Sequence, residues 1–402
     1  MADNLGYSIF LEPTDVVRAF EARGQLQPTV RWSEMMHDNH ATAFTVAKVA
    51  KLDLLRSIRT SLDDVIRNGG TFEEWKSNIL PELQKAGWWG AVSNKDLTGT
   101  DETIIVNNRR LRTIYNTNTR MSLATGHWAR IQRQKAALPY LRYLPSSSEH
   151  KRPLHIEWYG VLLPVDHPWW QTHFPPNGWG CKCGFEQVSE RRMRRMGWKV
   201  TPDDQIPGGP AQRFIPANGE PIIVPAGIDP GFGYNPGTAH LRAVAAKAAN
   251  SIEQALAAGL DDAATRTLQD IVDDVAFAQF LAVPQPSFPV MILSPELRDQ
   301  LGSKVRVAVL SDATVAKQIG VRPDLPINVY RQLPSLADRA DIVARDGDNV
   351  LIFARAGDGN WTVAIAKRTA SGEALFVTSV RVQNESSLPR LLKGTEVLID
   401  RR

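Results

Sequence analysis

Apolar residues recur three and four positions apart through the first part of the chain. Leu55, Ile58, Leu62 and Val65 line one side of a helix. Gly69 and Gly70 stop that run, and Thr71 with Glu74 three residues later predicts a capping box opening a second helix. Residues 14–88 therefore read as helices that end at the turn GWWG, 87–90. A further helix is expected where Leu111, Ile114, Met121 and Leu123 supply an apolar side interrupted by the polar run Asn116 to Thr119. From Leu144 to Asn235 the periodicity lapses into Pro, Gly, Trp and His, which predicts an irregular, loop-rich unit. Helical spacing returns over 238–282, first with Ala239, Leu241, Val244 and Ala245, then in an acidic stretch carrying Asp261, Asp262, Asp270, Asp273 and Asp274. The segment VPQPSFP, 283–289, reads as a linker. Beyond it, VMILS, VRVAVLS, DIVAR, NVLIFARA, WTVAIAK and ALFVTSVRV alternate with DGD, GDGN and ASGE, the turn chemistry of antiparallel hairpins.

These patterns predict a multidomain protein: a mainly α N-terminal region with an irregular loop-rich unit, then a small α+β C-terminal domain on an antiparallel meander. The expected boundaries are 1–143 (helical), 144–237 (irregular), 238–282 (helical connector), 283–289 (linker) and 290–402 (α+β). A length of 402 residues with 43% apolar and 22% charged residues suits several cores better than one. No apolar run is long enough to span a membrane, and the start MADNLGYSIFLEPTD lacks the pattern of a secretory leader, so synthesis in a cytoplasm is expected. The net charge of +4 is small, but it is unevenly spread: 103–148 contains no Asp or Glu, while Arg109, Arg110, Arg112, Arg120, Arg130, Arg133, Lys135 and Arg142 fall inside it. These arginines are expected on an exposed helix face, where they would bind nucleic acid through phosphate or simply meet solvent or acidic partner surfaces. A second basic tract, RRMRRMGWK, occupies 191–199.

One short stretch concentrates chemistry. RPLHIEWYGVLLPVDHPWWQTHFPPNGWGCKC, 152–183, holds His155, Glu157, Asp166, His167, His173, Cys181 and Cys183. Imidazole and thiolate are the usual donors to zinc, so Cys181 and Cys183 with His155 and His173, or with His167, would form a tetrahedral structural site. A gap of one residue between the cysteines is shorter than usual for zinc and too short for an unstrained disulfide. Two further readings stand beside the metal. Trp158, Trp169, Trp170, Phe174 and Trp179 would make an aromatic core with buried thiols and hydrogen-bonded imidazoles, or a Cys/His pair would act as nucleophile and base.

Arg152 and His155, the Gly160 and Pro164 punctuation and PPNGWGCKC, 175–183, resemble the head morphogenesis, or minor capsid, family that contains phage Mu protein F. HATAFTVAK (40–48), RTIYNTNTRMSLATGHW (112–128, from Arg112) and GIDPGFGYNPG (227–237) are similar to the same family, so the likeness runs over about residues 5 to 245 in order. The resemblance implies a minor head protein at or near the portal, with portal and capsid proteins as partners, double-stranded DNA as a further contact, no membrane association, and a final place inside the virion head.

Residues 290–402 resemble phage-borne domains of the barnase, EndoU, colicin and RelE-like nuclease group, through VAVLSDATVAKQ (307–318), VYRQLPSLADRADIVARDG (329–347) and the closing strands. That resemblance implies, as the alternative function, a phage-delivered effector whose C-terminal domain is a metal-independent RNase-like toxin with RNA as substrate. Cleavage needs a base, a cation for the phosphate and an acid, for which Tyr330, Arg331, Arg345, Lys367, Thr378 and Arg381 are the candidates. The domain has no histidine, the side chain best suited to proton transfer near neutrality. A noncatalytic docking domain is the alternative.

Overall fold

The computed structural model describes residues 13–37, 39–273, 275–282, 287–356 and 359–402. Residues 1–12 of the expected leaderless start, Asp274, 283–286 of the expected linker and two residues of the turn GDGN lie outside the described residues. The chain divides into two compact units, Met1–Ala243 and Val244–Arg402.

The first unit opens with helices α1 (Pro13–Glu21), α2 (Leu52–Asn68) and α3 (Phe72–Lys85). The anticipated spacing is realised: Leu55, Ile58, Leu62 and Val65 are all buried on α2. Gly69 ends that helix at φ +74, a left-handed conformation that glycine adopts without strain. Thr71 then accepts from the Glu74 backbone N–H while the Glu74 carboxylate accepts from the Thr71 N–H at 2.7 Å, the reciprocal cap expected from sequence. A short hairpin of β1 (Gly90–Val92) and β2 (Ile104–Val106) leads into α4 (Asn108–Gln134).

The long helix α4 departs from expectation. Leu111, Ile114, Tyr115, Asn118, Thr119, Ser122, Leu123, Trp128 and Ile131 are all buried, so this is a central helix rather than a surface one. Its upper part closes a core with Phe20, Leu55, Trp75 and Trp88; its lower part belongs to a second core with Tyr143, Trp158, Trp170 and Phe174. Four of its arginines engage the protein itself, while Arg109 near its start stays exposed. Arg112 lies 4.0 Å from the Phe72 ring and pairs with Glu73 at 3.0 Å. Arg133 pairs with Asp15 at 2.6 Å, and Arg110 and Arg120 donate to the carbonyls of Ala47 and Cys181 at 2.5 and 2.8 Å. The expected cationic face is thus only partly open to solvent, because acceptors for several of these arginines come from distant parts of the chain.

The second core is organised by a three-stranded antiparallel sheet with β3 (Tyr140–Leu144) between β4 (Leu162–Pro164) and β5 (Gly184–Val188). The connections carry two short helices, α5 (Pro153–Glu157) and α6 (Trp170–His173). After β5 come the exposed helix α7 (Glu190–Met196) and a hairpin of β6 (Gln212–Phe214) and β7 (Ile222–Val224). The boundary between the units falls inside α8 (Pro236–Ala257).

The second unit carries α9 (Asp261–Asp273) and α10 (Val275–Ala282), then the strand β8 (Ser287–Ile292), which includes residues 287–289 of the expected linker. It continues with α11 (Pro295–Leu301), β9 (Val307–Ser311), α12 (Asp312–Val321), β10 (Ile342–Asp346), β11 (Asn349–Arg355), β12 (Trp361–Arg368), β13 (Leu375–Gln383), α13 (Leu388–Leu392) and β14 (Glu396–Asp400). The sheet order is β8-β9-β13-β12-β11-β10-β14, antiparallel except for the parallel pair β9 and β13. The run β10 to β13 is the expected meander. Ile342, Leu351, Phe353, Trp361 and Val363 share a core with Leu388 on one face, while Val343, Val350, Ile352, Ala364 and Ala366 on the other are also buried. Burial on both faces explains why NVLIFA shows no polar alternation.

Candidate functional site

Three ligand-type side chains meet in the first unit: His155, Cys181 and Cys183, whose ligand atoms all lie within 4.8 Å of one another. His155 sits on α5, where Pro153 near the start of the helix needs no intrahelical partner for its missing N–H. The ring is buried and stacks on Trp158 with centroids 4.6 Å apart. Its Nε2 lies 2.8 Å from the Gly227 carbonyl. A carbonyl can only accept, so Nε2 carries the proton and, in the neutral ring, Nδ1 presents a lone pair. That lone pair faces sulfur: Nδ1 is 3.4 Å from Cys183 Sγ and 3.8 Å from Cys181 Sγ.

The cysteines are free thiols, Cys181 buried and Cys183 half-buried, on the loop between α6 and β5. That loop is held from several sides. Arg120 donates to the Cys181 carbonyl, and Arg152 makes a two-pronged pair with Asp229 at 2.5 and 2.7 Å. The same Asp229 carboxylate accepts the Trp179 backbone N–H at 2.8 Å. Asn177, fully buried, accepts from the Tyr143 hydroxyl at 2.9 Å. Gly227 has φ +81, and a Cβ there would meet the Trp158 ring at 2.9 Å, so only glycine brings the accepting carbonyl this close to His155. Arg152 was singled out in the sequence, but its partner Asp229, and Asn177, Tyr143 and the Gly227 carbonyl, were not, although Asn177 lies in the motif PPNGWGCKC. The motif GIDPGFGYNPG was the available signal for two of them, because it carries both Gly227 and Asp229.

The thiols titrate as a pair. The hydrogen bond from Cys183 to the Cys181 sulfur, helped by His155, pulls the Cys181 thiol down to about 4 against the opposing effect of burial. Sharing with Cys181, together with burial, pushes Cys183 up. Burial raises Tyr143 as well, so its hydroxyl remains a donor.

His173 does not join the group. Its ring stacks on Trp169 at 4.4 Å, its Nδ1 lies 2.7 Å from the Thr172 hydroxyl, and burial lowers it to about 4. His167 faces Asp203 at 3.2 Å and accepts from the Trp169 N–H. Asp166 pairs with Lys135, and Glu157 is exposed. Of the aromatic residues, Trp158, Trp170 and Phe174 are buried in one core, Trp169 packs against it, and Trp179 stays 41% exposed beside Phe232.

Residues 56–186 match the family described as Phage Mu protein F like protein. The chain is similar to the putative capsid assembly protein F of Escherichia phage Mu, 37% identical over 199 residues that cover 49% of this chain and 45% of that protein. It is also similar to the Mu-like prophage FluMu F protein of Haemophilus influenzae, 36% identical over 176 residues, 44% of this chain and 42% of that protein. The likeness thus spans less than half the length of either relative. No solved structure matches the chain. The matched stretch runs from within α2 through α4 and holds His155, Cys181 and Cys183, with the Gly227 and Asp229 supports beyond its end.

The residues named for RNA chemistry in the second unit are dispersed. Tyr330 is buried against Phe277, and Arg331 donates to the Asp273 carbonyl at 3.3 Å. Arg345 lies opposite Val350 and through it Ala366, whereas Lys367 lies opposite Asn349. Neighbouring strand positions point to opposite faces, so Arg345 and Lys367 are on different sides of the sheet. Thr378 sits at a bulge and donates to the Ile365 carbonyl at 3.3 Å. Arg381, opposite Val363, shares the face of Lys367 four positions along β12, and burial lowers its pKa.

Among the described residues no helix is long and apolar enough to cross a membrane.

Proposed function

We propose that the chain is a minor head protein that acts in head morphogenesis of a Mu-like phage, assembling with portal and capsid proteins and ending in the virion head. The observation that carries this reading is the 37% identity over 199 residues to the putative capsid assembly protein of phage Mu. The packing of the first unit supports it: the segments around 152, 181 and 227, which carry the family resemblance, support one another through hydrogen bonds. The role is structural. Removing the gene from an inducible phage should leave no DNA-filled heads by electron microscopy, and a plasmid copy should restore them with the protein present in purified heads. Normal infectious particles without the gene would refute the reading.

A contact with packaged DNA fits α7 better than α4. Arg191, Arg194 and Arg195 on α7, with Lys199 just beyond, are exposed and have no carboxylate partner among the described residues, whereas α4 engages Arg110, Arg112, Arg120 and Arg133 within the fold and leaves Arg109 exposed. Such a contact would neutralise phosphates without reading sequence. Replacing the three arginines by glutamine should weaken binding of unrelated duplexes equally and flatten its salt dependence; unchanged binding would remove α7 from the interface. For the second unit we put forward an accessory docking role, because the residues named for RNA cleavage have no assembled site behind them. Intact RNA after incubation with the full chain is the expected result, and cleavage by the protein would overturn the docking role.

A further inference from the structure

We propose that His155, Cys181 and Cys183 bind one zinc ion through Nδ1 and the two thiolate sulfurs, fastening α5 to the loop that precedes β5. The geometry is that of a ligand set. Zinc–sulfur and zinc–nitrogen bonds of about 2.3 and about 2.0–2.1 Å, set at the tetrahedral angle, put nitrogen and sulfur about 3.5 Å apart. The two observed separations, 3.4 and 3.8 Å, bracket that edge.

The imidazole is already oriented for this role. Its Nε2–H is committed to the Gly227 carbonyl, which fixes the tautomer and aims the Nδ1 lone pair at the sulfurs. Metal-bound histidines are generally held by such a second hydrogen bond. The one-residue gap between the cysteines, an objection when read along the sequence, loses its force in space. Cys181 and Cys183 stand just before β5, and both sulfurs lie within reach of one imidazole nitrogen, at 3.8 and 3.4 Å.

Two soft sulfurs and one imidazole favour zinc over calcium or magnesium, whose ligands are oxygens. Binding would release the thiol protons, and the divalent cation would cancel the charge of the two sulfurs it holds. Among the described residues no other His, Cys, Asp or Glu completes the group, so the fourth position falls to water. The site sits where α5, the 175–183 loop and the 227 turn meet, and closing it would hold three segments of little regular structure in register.

The test is elemental analysis of the full chain, purified without metal-affinity resin, together with cobalt titration of chelator-stripped protein. One zinc per chain, and cobalt spectra with thiolate charge-transfer and tetrahedral bands, are expected. Cys183→Ser and His155→Ala should each lose the metal, whereas His167→Ala, outside the group, should retain it. Should a variant fail to fold, the cobalt spectrum of the unmodified chain still decides. Absence of zinc together with no thiolate–cobalt band overturns the proposal, as does zinc that persists in Cys183→Ser.

Discussion

Replacing Gly178 by alanine puts a methyl carbon 2.5 Å from Asp229 Oδ2 and 2.8 Å from Arg152 Nη1, closer than real carbon contacts come. The Arg152–Asp229 pair must then open. It consists of two charged hydrogen bonds, and Asp229 also accepts the Trp179 N–H, so three bonds that close the loop around Cys181 are strained at once. The side chains are 36% and 26% exposed, which lets water screen part of the loss and keeps it below the cost of breaking a fully buried pair. We expect a destabilisation of about 2–3 kcal/mol. Gly180→Ala is the control within the same loop: it meets nothing within 4 Å but has φ +67, so only backbone strain of about 1 kcal/mol applies. Ten of the eleven tryptophans lie before residue 243, so urea unfolding followed by tryptophan fluorescence reports the first unit. Gly178→Ala should lower that transition, and combining it with Arg152→Ala should add little to Arg152→Ala alone. A Gly178→Ala protein within about 0.5 kcal/mol of the parent, or full additivity with Arg152→Ala, would refute the reasoning.

Acid should weaken the first unit early. Burial lowers His40 and His240 from 6.5 to about 4, so both are neutral in the fold; as pH falls below 6.5 the unfolded chain takes up protons that the fold refuses, and stability drains away until about 4, by up to about 3 kcal/mol for each. Flat stability across that window, measured by urea unfolding, would show that these rings are not buried. Tyr143→Phe leaves the fully buried Asn177 carbonyl oxygen without its donor and should cost about 1–3 kcal/mol in the same fluorescence transition; no change would mean that the bond is not formed. In the second unit, Gln318 donates to the Val380 carbonyl at 2.8 Å and accepts from Arg322, so Gln318→Ala should lose about 2 kcal/mol and speed amide exchange in β13; unaltered exchange would deny the contact.

The periodic parts of the chain were legible from their residues. The buried side of α2, its glycine stop, the Thr71–Glu74 cap and the strand sequence of the second unit follow from spacing and local chemistry, because each is decided within a few residues. The apolar side of α4 was legible, but burial of its polar positions Asn118, Thr119 and Ser122 was not. Its composition reads as an exposed cationic helix, and only the fold supplies Glu73, Asp15 and the distant carbonyls that accept those arginines. The placement of strand β8 across part of an expected linker is likewise tertiary: pairing with β9 turns Ser287 to Ile292 into a sheet edge despite Pro289, a residue tolerated there because an edge has free positions.

At the centre, sequence determined which side chains were available: one histidine on α5 and two cysteines one residue apart, close to further histidines with equal claim. Only the tertiary structure chose among them. It stacks His173 on Trp169, turns His167 to Asp203 and brings His155 to both sulfurs by fixing its ring against the Gly227 carbonyl. The physical reason is that ligand sets are defined by distances of a few ångströms between atoms carried on separate segments. Those distances depend on how Arg152, Asp229 and the glycine at 227 close the loops, contacts that span up to 77 residues and leave no periodic mark in the chain.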